Sequence, residues 1–533
     1  MRVLVLGGTG VFGSRLCRLL AADPGIALTI AARDHGAVDA LARELGVEGR
    51  AFDWRCDLDR VLGEGGHDLV VHIAGPFQGQ DYAVAELCIR HGLHYLDLAD
   101  DSAFVRGIDR LAEAALKANV LVGSGASTAP AITGAVVEEA LKTGPVERVT
   151  FGIMPGNDAP RGPALVATIL GGAGRPIADQ PGRHVWGGLR RLRLPGLGRR
   201  WVAACDLPEP ALFAQRFGIR DTYAGAGMEL SILHVGLWSL SWLVRGRVMH
   251  SLAPTAPFLT RIADRLRFLG TDRGGLRIEL HAGARSRVWC LIAEGGDGPF
   301  IPVTPAAALV RKLARGASLR GAMPCLGVLT LAEIEAEWRQ AGLRIAAGWG
   351  DDGVDLRPSL YRRALGAAYD RQSRAGQALH DAGPSRWQGR CAVTGAETAV
   401  GRFLAWLFQF PAATDDAAIA VEFETSGGGE VWTRRIGGRV MRSRQFIGVR
   451  KPPGWIVERF GVLDFDLDVR VAEQRLALAM RGMRCCGLPV PRALWPTIEA
   501  SESEEEGRFR FDVQIGLPLV GRLVRYRGWL TDR

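Results

Sequence analysis

Three glycines near the start of the chain, Gly8, Gly10 and Gly13, have the spacing of a turn that binds the pyrophosphate of a dinucleotide. They follow an apolar run, residues 3–6, which predicts a buried strand, and they precede apolar residues at helical spacing. In a strand–turn–helix the first glycine permits a tight turn, the second lets the backbone approach the phosphates, and the third lets the helix pack on the strand. The helix N-terminus adds unpaired N–H groups. An ordinary glycine-rich turn is the alternative, and the context favours a dinucleotide held by Gly8, Thr9, Gly10, Val11, Phe12 and Gly13.

The residue at the end of the next predicted strand, Arg33, selects between the two nicotinamide dinucleotides. An acid at this place usually binds a free ribose 2′-hydroxyl, whereas a guanidinium suits a 2′-phosphate. Asp34 comes one residue later and keeps NAD(H) as the alternative. The sequence therefore predicts NADP(H) as the cofactor.

A glycine-proline turn follows the buried strand predicted for residues 68–75. Open α/β sheets bind their ligands at the carboxyl ends of parallel strands. Strands and helices alternate to about residue 125, which predicts a doubly wound parallel sheet of Rossmann type. We expect the turn to run against the nicotinamide ribose through Ala74, Gly75, Pro76 and Phe77.

Titratable side chains follow these strand ends, and one of them could protonate the atom next to the one that receives hydride. We predict that Asp101 or Tyr82 is this catalytic group, and that Asp97 anchors the loop of residues 75–77. His94 and Tyr95 lie at the start of their strand and are interpreted as structural. Short-chain dehydrogenases are excluded, because they need a tyrosine four residues before a lysine. The residues four before Lys117, Lys142, Lys312 and Lys451 are Glu113, Glu138, Ala308 and Ile447.

Together these motifs resemble the saccharopine dehydrogenase-like oxidoreductases over about residues 1–350. The matching stretches are residues 7–13, 32–33, 74–77, 94–98, 123–130, 297–299 and 321–325. The resemblance implies a Rossmann NADP-binding domain over residues 1–128 and an α+β substrate and dimerisation domain over residues 129–350. It also implies reduction of a C=N, C=O or activated C=C bond of a small molecule. Where the family often has Gly-Glu, this chain has Asp100 and Asp101.

Two stretches of the middle domain have two interpretations each. Residues 183–200 form a predicted loop with seven basic side chains, which either receives an anionic substrate or cofactor phosphate or is a solvated basic face. Residues 230–244 are too short and too interrupted by polar side chains to span a membrane. Trp238 and Trp242 in this segment either pack in the core or touch a membrane interface.

The C-terminal part, residues 360–533, changes to period-two alternation after a predicted linker at residues 348–358. Alternating apolar and polar residues at 419–424, 463–469 and 509–515 predict half-buried antiparallel strands, with a hairpin turn at 425–430 and a helix at 399–408. This part resembles a bacterial domain of unknown function that is fused behind saccharopine dehydrogenase-like proteins. The matching residues are 428–435, 487–492, 516–521 and 526–530.

The β-rich domain has two functional interpretations. One is that a curled antiparallel sheet holds an apolar ligand. The other, a structural or interaction role, is favoured over ligand binding. Asp464, Asp466 and Asp468 share one strand face, which is interpreted as solvated rather than as a metal site.

Composition limits the remaining classes. The chain has 533 residues, and Lys+Arg exceeds Asp+Glu by 66 − 57 = 9. This arginine-rich surface comes with no nucleic-acid motif, and the nine scattered cysteines lack zinc spacing. Because the first residues already form a predicted strand, we expect no signal peptide and a cytoplasmic protein. The sequence thus predicts an NADP(H)-dependent oxidoreductase and leaves a homodimer open. The alternative is a non-catalytic NADP(H)-binding scaffold whose C-terminal domain binds a lipid or a protein.

Overall fold

A computed structural model describes residues 1–160, 162–283, 285–350, 359–381, 385–426, 429–448, 452 and 454–532. The chain forms two compact units, Met1–Asp352 and Gly353–Arg533. Most of the predicted linker and the centre of the predicted 425–430 turn lie outside the described residues. Within the described residues, no helix is both long and apolar enough to cross a membrane.

The first unit contains two seven-stranded sheets. Its strands are β1 (Arg2–Leu6), β2 (Ala27–Ala32), β3 (Glu48–Ala51), β4 (Leu69–His72), β5 (His94–Asp97), β6 (Leu121–Ser124), β7 (Arg148–Met154), β8 (Arg190–Leu194), β9 (Gly198–Ala204), β10 (Asp221–Gly227), β11 (Gly274–Ala282), β12 (Arg285–Ala293), β13 (Gly321–Pro324) and β14 (Ile345–Trp349). Its helices are α1 (Val11–Ala21), α2 (His35–Leu45), α3 (Trp54–Gly63), α4 (Ala83–Arg90), α5 (Ser102–Arg106), α6 (Ala112–Lys117), α7 (Thr133–Leu141), α8 (Pro163–Gly172), α9 (Glu209–Phe217), α10 (Ser231–Arg245), α11 (Ala256–Arg265), α12 (Thr304–Ala314) and α13 (Leu331–Gln340).

The first sheet is entirely parallel, in the order β13-β6-β5-β4-β1-β2-β3, and confirms the predicted doubly wound sheet. Its central strands read as apolar runs because helices cover both faces. Helix α1 buries Leu16, Cys17 and Leu20 against it. The sequence analysis missed β3, an exposed edge strand without apolar alternation, and α3 and α5.

The second sheet is mixed, in the order β14-β12-β11-β7-β10-β9-β8, and only β7 and β10 pair in parallel. Strands β11 and β12 pair as an antiparallel hairpin. The prediction of one loop over residues 183–200 was wrong, because β8 and part of β9 lie within it. Leu192, Leu194 and Val202 are buried there and alternate with arginines, which is the pattern of a half-buried hairpin.

The second unit is built on an antiparallel sheet. Its elements are α14 (Leu360–Leu365), α15 (Arg374–Asp381), β15 (Ser385–Thr394), α16 (Ala399–Leu407), β16 (Thr414–Ser426), β17 (Gly429–Ile436), β18 (Arg439–Phe446), β19 (Trp455–Phe460), β20 (Leu463–Ala472), β21 (Arg475–Cys485), β22 (Leu488–Pro489), β23 (Thr497–Glu505), β24 (Arg508–Leu517) and β25 (Gly521–Asp532). Ten of these strands follow one another as neighbours, and β20 also pairs with β21, so that the sheet closes on itself. This confirms the predicted β-rich domain and the helix before it.

The interpretation of Asp464, Asp466 and Asp468 as a solvated face was wrong. All three are buried, and each pairs with arginine side chains, Asp464 with Arg459 at 2.5 Å and Asp466 with Arg484 at 2.9 Å. Guanidinium groups on neighbouring strands cover these carboxylates, and this pairing offsets the desolvation cost of burying a row of negative charges.

Candidate functional site

The glycine turn joins the end of β1 to the start of α1. Gly7 has a φ of +82°, in the left-handed region. A Cβ on Gly13 would lie 2.1 Å from the carbonyl oxygen of Gly7, and one on Gly8 would lie 2.7 Å from Cγ2 of Ile30. Gly10 is the N-cap of α1, and no side chain caps the first turn of this helix. The turn is therefore close-packed on its inner side and presents uncapped backbone N–H groups, which fits a bound pyrophosphate.

Arg33 and Asp34 follow β2, which pairs in parallel with β1 so that the two carboxyl ends meet at one edge. The side chain of Asp34 accepts a hydrogen bond of 3.0 Å from the N–H of Ala37 and caps α2. Arg33 is exposed, and in the described part of the chain its guanidinium makes no ion pair. The acid at this edge is thus already engaged, while the guanidinium is available.

The turn of residues 74–77 follows β4, on the other side of β1. A Cβ on Gly7 would lie 2.9 Å from the backbone nitrogen of Ala74, so the two turns approach closely. The Nε2 group of Gln80 donates to the carbonyl oxygens of Pro76 at 2.6 Å and of Ala74 at 3.2 Å. Gln80 therefore fixes this turn. The sequence analysis missed it, although a polar amide four residues after the proline was a local signal.

Asp97 does not anchor the 74–77 turn, and that prediction was wrong. Its Oδ1 accepts from the N–H of Ala99 at 3.0 Å, the hydroxyl of Ser124 at 3.0 Å and the N–H of Gly125 at 2.8 Å. Asp97 thus ties the end of β5 to the end of β6. Its complete burial raises its pKa to about 6, against the opposing effect of the three donors.

The two predicted proton donors, Tyr82 and Asp101, both bond to the backbone of Phe104. The Tyr82 hydroxyl donates to the carbonyl oxygen of Phe104 at 2.7 Å, and Oδ1 of Asp101 accepts from the N–H of Phe104 at 2.8 Å. Tyr82 is buried, with the guanidinium of Arg110 4.3 Å from the centre of its ring. Asp101 caps α5 and is half-buried. Their catalytic role stays a prediction.

Asp100 has a different environment from its neighbour. Its surface is exposed, yet the surrounding protein raises its pKa to about 6, with a smaller contribution from the charge of Asp101. Asp100 follows the carboxyl end of β5, at the sheet edge where open α/β sheets form their ligand cleft. A carboxyl group of this pKa can both hold and release a proton near neutral pH.

Two acids after β9 reach the same region, and the sequence analysis missed both because no motif marks them. Glu209 is completely buried, its Oε1 accepts from the Thr133 hydroxyl at 2.7 Å, and burial raises its pKa to about 7. The charge of Asp100 contributes to this shift. Asp206 has its pKa raised by partial burial and by the charge of Asp101. These charge effects place the four carboxyl groups in one region of the first unit, where Glu209 is buried and Asp100 and Asp206 are exposed.

Comparisons with known proteins agree with the two-part organisation. Residues 3–138 match the family model of the saccharopine dehydrogenase NADP binding domain, and residues 372–530 match that of a domain of unknown function, DUF4166. A comparison with curated protein sequences found no match.

Among solved structures, saccharopine dehydrogenase (L-Glu forming) from Saccharomyces cerevisiae is similar to this chain at 14% identity and a TM-score of 0.47, over 66% of this chain and 100% of that one. Homospermidine synthase from Legionella pneumophila, in complex with NAD, is similar at 13% identity and a TM-score of 0.47, over 66% of this chain and 91% of that one. A probable dehydrogenase from Thermotoga maritima has 11% identity and a TM-score of 0.36, over 63% and 93% of the two chains.

Proposed function

We propose that this chain, whose residues 3–138 form a saccharopine dehydrogenase NADP-binding domain, is an NADP(H)-dependent oxidoreductase that reduces a C=N, C=O or activated C=C bond. One observation carries the proposal. The uncapped glycine turn, the free guanidinium of Arg33 and the 74–77 turn follow β1, β2 and β4, three adjacent parallel strands. Their carboxyl ends form one edge, along which a dinucleotide can extend.

The dinucleotide supplies the hydride, and the chain supplies binding, orientation and a proton. The backbone N–H groups of Gly8 and Gly10 donate to carbonyl oxygens of the chain and fix the turn. The N–H groups of Thr9, Val11, Phe12 and Gly13 hold the pyrophosphate, and Arg33 holds the 2′-phosphate. The 74–77 turn, fixed by Gln80, flanks the nicotinamide ribose. Asp101 or Tyr82, with Asp100 as a further candidate beside them, gives the proton to the atom next to the one that is reduced.

The test of the cofactor assignment is the affinity of the native chain and of Arg33→Ala for NADPH and for NADH, measured by cofactor fluorescence. The variant should lose at least tenfold in NADPH affinity and little in NADH affinity, because only NADPH carries the 2′-phosphate. Arg43→Ala, which removes an exposed arginine from α2, should change neither. An unchanged NADPH affinity in Arg33→Ala would overturn the assignment.

The test of the enzymatic assignment is NADPH consumption with a panel of carbonyl, imine and enoyl compounds. Turnover of any member that Gly10→Val abolishes supports an oxidoreductase. Tight NADPH binding without oxidation by any compound would favour the scaffold. A homodimer and a cytoplasmic location stay predictions.

The second candidate function, lipid binding by the C-terminal domain, rests on one end of the closed sheet. The connections 395–413, 437–438, 461–462, 486–496 and 518–520 all lie at this end, because neighbouring antiparallel strands alternate in direction. We call it the apolar end. Its exposed apolar side chains are Val400, Phe403, Trp406, Leu407, Phe408, Val440, Val462, Leu488, Leu494 and Leu519.

The connections at the apolar end contain the cations Arg402 and Arg492 and one acidic residue, Glu397. Glu397 pairs with Arg522 at 3.2 Å, which leaves the two cations as the unpaired charges of these connections within the described residues. Aromatic and aliphatic side chains interspersed with cations suit an interface with anionic lipid. We therefore propose that the apolar end touches an anionic membrane surface.

Vesicle flotation tests this contact with phosphatidylcholine vesicles that contain or lack phosphatidylglycerol. The native chain should float with the anionic vesicles, and the double variant Phe403→Ser, Trp406→Ser should stay in the lipid-free fraction. The matched control Phe258→Ser, Phe268→Ser removes two exposed aromatic residues of the first unit and should float like the native chain. The membrane contact would be refuted if both double variants lost flotation equally, or if the native chain did not float with the anionic vesicles.

A further inference from the structure

A small pocket at the second sheet is lined by three arginines and carries no acidic residue. Its volume is about 160 Å³, below the roughly 300 Å³ at which small-molecule sites usually begin. It can therefore receive one chemical group rather than a whole ligand. The lining residues are Gly182, Arg183, His184, Gly187, Gly188, Arg190, Ala204, Tyr223 and Arg245.

The lining side chains come from separate elements that meet around Tyr223 of β10. The guanidinium of Arg190, at the start of β8, lies 4.1 Å from the centre of the Tyr223 ring, and that of Arg183 lies 5.7 Å from it. The Tyr223 hydroxyl donates to the carbonyl oxygen of Gly188 at 2.9 Å. Burial of Tyr223 gives the two guanidinium groups a fixed aromatic support.

Arg245, the last residue of α10, is the strongest sign of a missing ligand. Its Nε and Nη2 atoms are buried and find no hydrogen-bond partner among the residues that the structure describes. A Cβ on Gly187 would lie 2.9 Å from Nη2, so the glycine leaves the room that the guanidinium occupies. Buried polar groups in proteins are nearly always paired, and an unpaired cation is costly.

Three buried arginines of the first unit that lie outside the pocket each pair with a carboxylate of the chain. Arg200 pairs with Glu229 at 3.0 Å, Arg277 pairs with Glu279 at 2.6 Å, and Arg311 pairs with Asp23 at 3.1 Å. Within the described ranges, none of Arg183, Arg190 and Arg245 has a carboxylate within ion-pair distance. Arg183 donates to the side-chain oxygen of Gln180 at 2.7 Å and Arg190 to the hydroxyl of Thr150 at 3.4 Å, both uncharged acceptors. Of the three arginines, Arg245 is the one with buried donors that have no acceptor within the described residues.

We propose that this pocket, which we call the anion pocket, binds a phosphate or carboxylate group of the substrate. Guanidinium groups bind both oxyanions through paired hydrogen bonds. The inference rests on the proposed function, because it identifies the substrate of that cleft as an anion.

Two connections place the anion pocket beside the cleft. Arg106 of α5, the helix that Asp101 caps, pairs with Asp179 at 2.6 Å, and the backbone N–H of Arg183 donates to the carbonyl oxygen of Gln180 next to it. Ala204 of the pocket is followed by Cys205, whose pKa is raised to about 12, mainly by burial and with a smaller contribution from the charge of Asp100. A substrate can thus place its anionic group in the pocket and its reducible bond near Asp100.

Isothermal titration of the full-length chain with inorganic phosphate tests the pocket, with NADPH present and absent. We expect one phosphate per chain that NADPH does not displace. Arg190→Gln and Arg245→Gln should each weaken it at least tenfold. Arg191→Gln is the matched control, because Arg191 is the next residue of β8 and its guanidinium lies over Trp201 instead. Acetate in place of phosphate shows whether a carboxylate suffices.

The outcomes separate this inference from the proposed function. If the chain binds phosphate but not NADPH, the anion pocket is supported and the proposed oxidoreductase function is contradicted. The anion pocket would be contradicted if the chain bound NADPH but neither phosphate nor acetate, or if NADPH displaced the phosphate. It would also be contradicted if Arg191→Gln weakened phosphate binding as much as the two pocket variants do. Arg190 is exposed, so its variant tests the pocket even if Arg245→Gln fails to fold.

Discussion

Asp100 and Asp101 are neighbours along the chain, but only the folded protein distinguishes them. Asp101 uses one carboxylate oxygen to cap α5, whereas Asp100 makes no ion pair within the described ranges and faces the cleft. The sequence could place both at the end of β5 and could not show that the pKa of Asp100 would be raised. That shift comes mainly from the protein packed around Asp100 in the folded chain, with a smaller contribution from the charge of Asp101.

The raised pKa of Asp100 predicts a dependence of stability on pH. The folded chain holds this proton up to about pH 6, whereas an unperturbed aspartate releases it near 3.8. In that interval the folded state binds more protons, so the contribution of Asp100 to the free energy of unfolding falls as the pH rises and is level above it. Asp100→Asn should flatten this part of the profile, as measured by urea unfolding at several pH values.

Asp109→Asn is the control for this experiment, since it removes an exposed aspartate of the segment after α5. Its profile should follow that of the native chain. If the pH profile of Asp100→Asn were as steep as that of the native chain, the assignment of the raised pKa to Asp100 would be contradicted.

At the scale of elements, the sequence predicted the turns and helices that depend on nearby residues, but it did not predict the edge strands. The glycine turn, the 74–77 turn and α16 are each determined within a dozen residues. The arginine-rich hairpin of β8 and β9 was mistaken for a loop, because its charges hid the alternation of Leu192, Leu194 and Val202.

Replacement of Gly13 by alanine should remove cofactor binding and destabilise the first unit. The new Cβ would lie 2.1 Å from the carbonyl oxygen of Gly7, so α1 must move away from the turn. We expect a loss of about 3 kcal/mol in the free energy of unfolding, measured by urea unfolding beside NADPH titration.

Gly36→Ala is the matched control, because a Cβ there would have its nearest contact at 3.6 Å, in the first turn of α2. It should leave NADPH binding unchanged and raise stability by about 1 kcal/mol or less, since alanine favours helix over glycine. Retained NADPH affinity in Gly13→Ala would refute the assigned role of the turn.

At the scale of the whole molecule, each unit has its own hydrophobic core. The core of the second unit is enclosed by a sheet without a free edge between β20 and β21. We therefore propose the domain division of the sequence analysis, with residues 1–128, 129–350 and 360–533, and test its last boundary.

Residues 359–533 expressed alone should fold, because closure of the sheet satisfies the strand edges within this unit. Circular dichroism should show β-structure with one cooperative thermal transition. Residues 385–533, which lack α14 and α15, should unfold at a lower temperature, because Tyr361 and Leu379 leave the core. A disordered 359–533 chain would contradict the boundary.

The sequence by itself determined the dinucleotide turn, the parallel sheet that carries it and the β-rich character of the C-terminal part. These features depend on glycine spacing and on apolar periodicity, which act between residues close together along the chain. The tertiary structure alone decided that Arg183, Arg190 and Arg245 converge, that Asp206 and Glu209 come near Asp100 and Asp101, and that the last sheet closes. Packing between distant segments sets these contacts, and no local pattern encodes which distant partners meet.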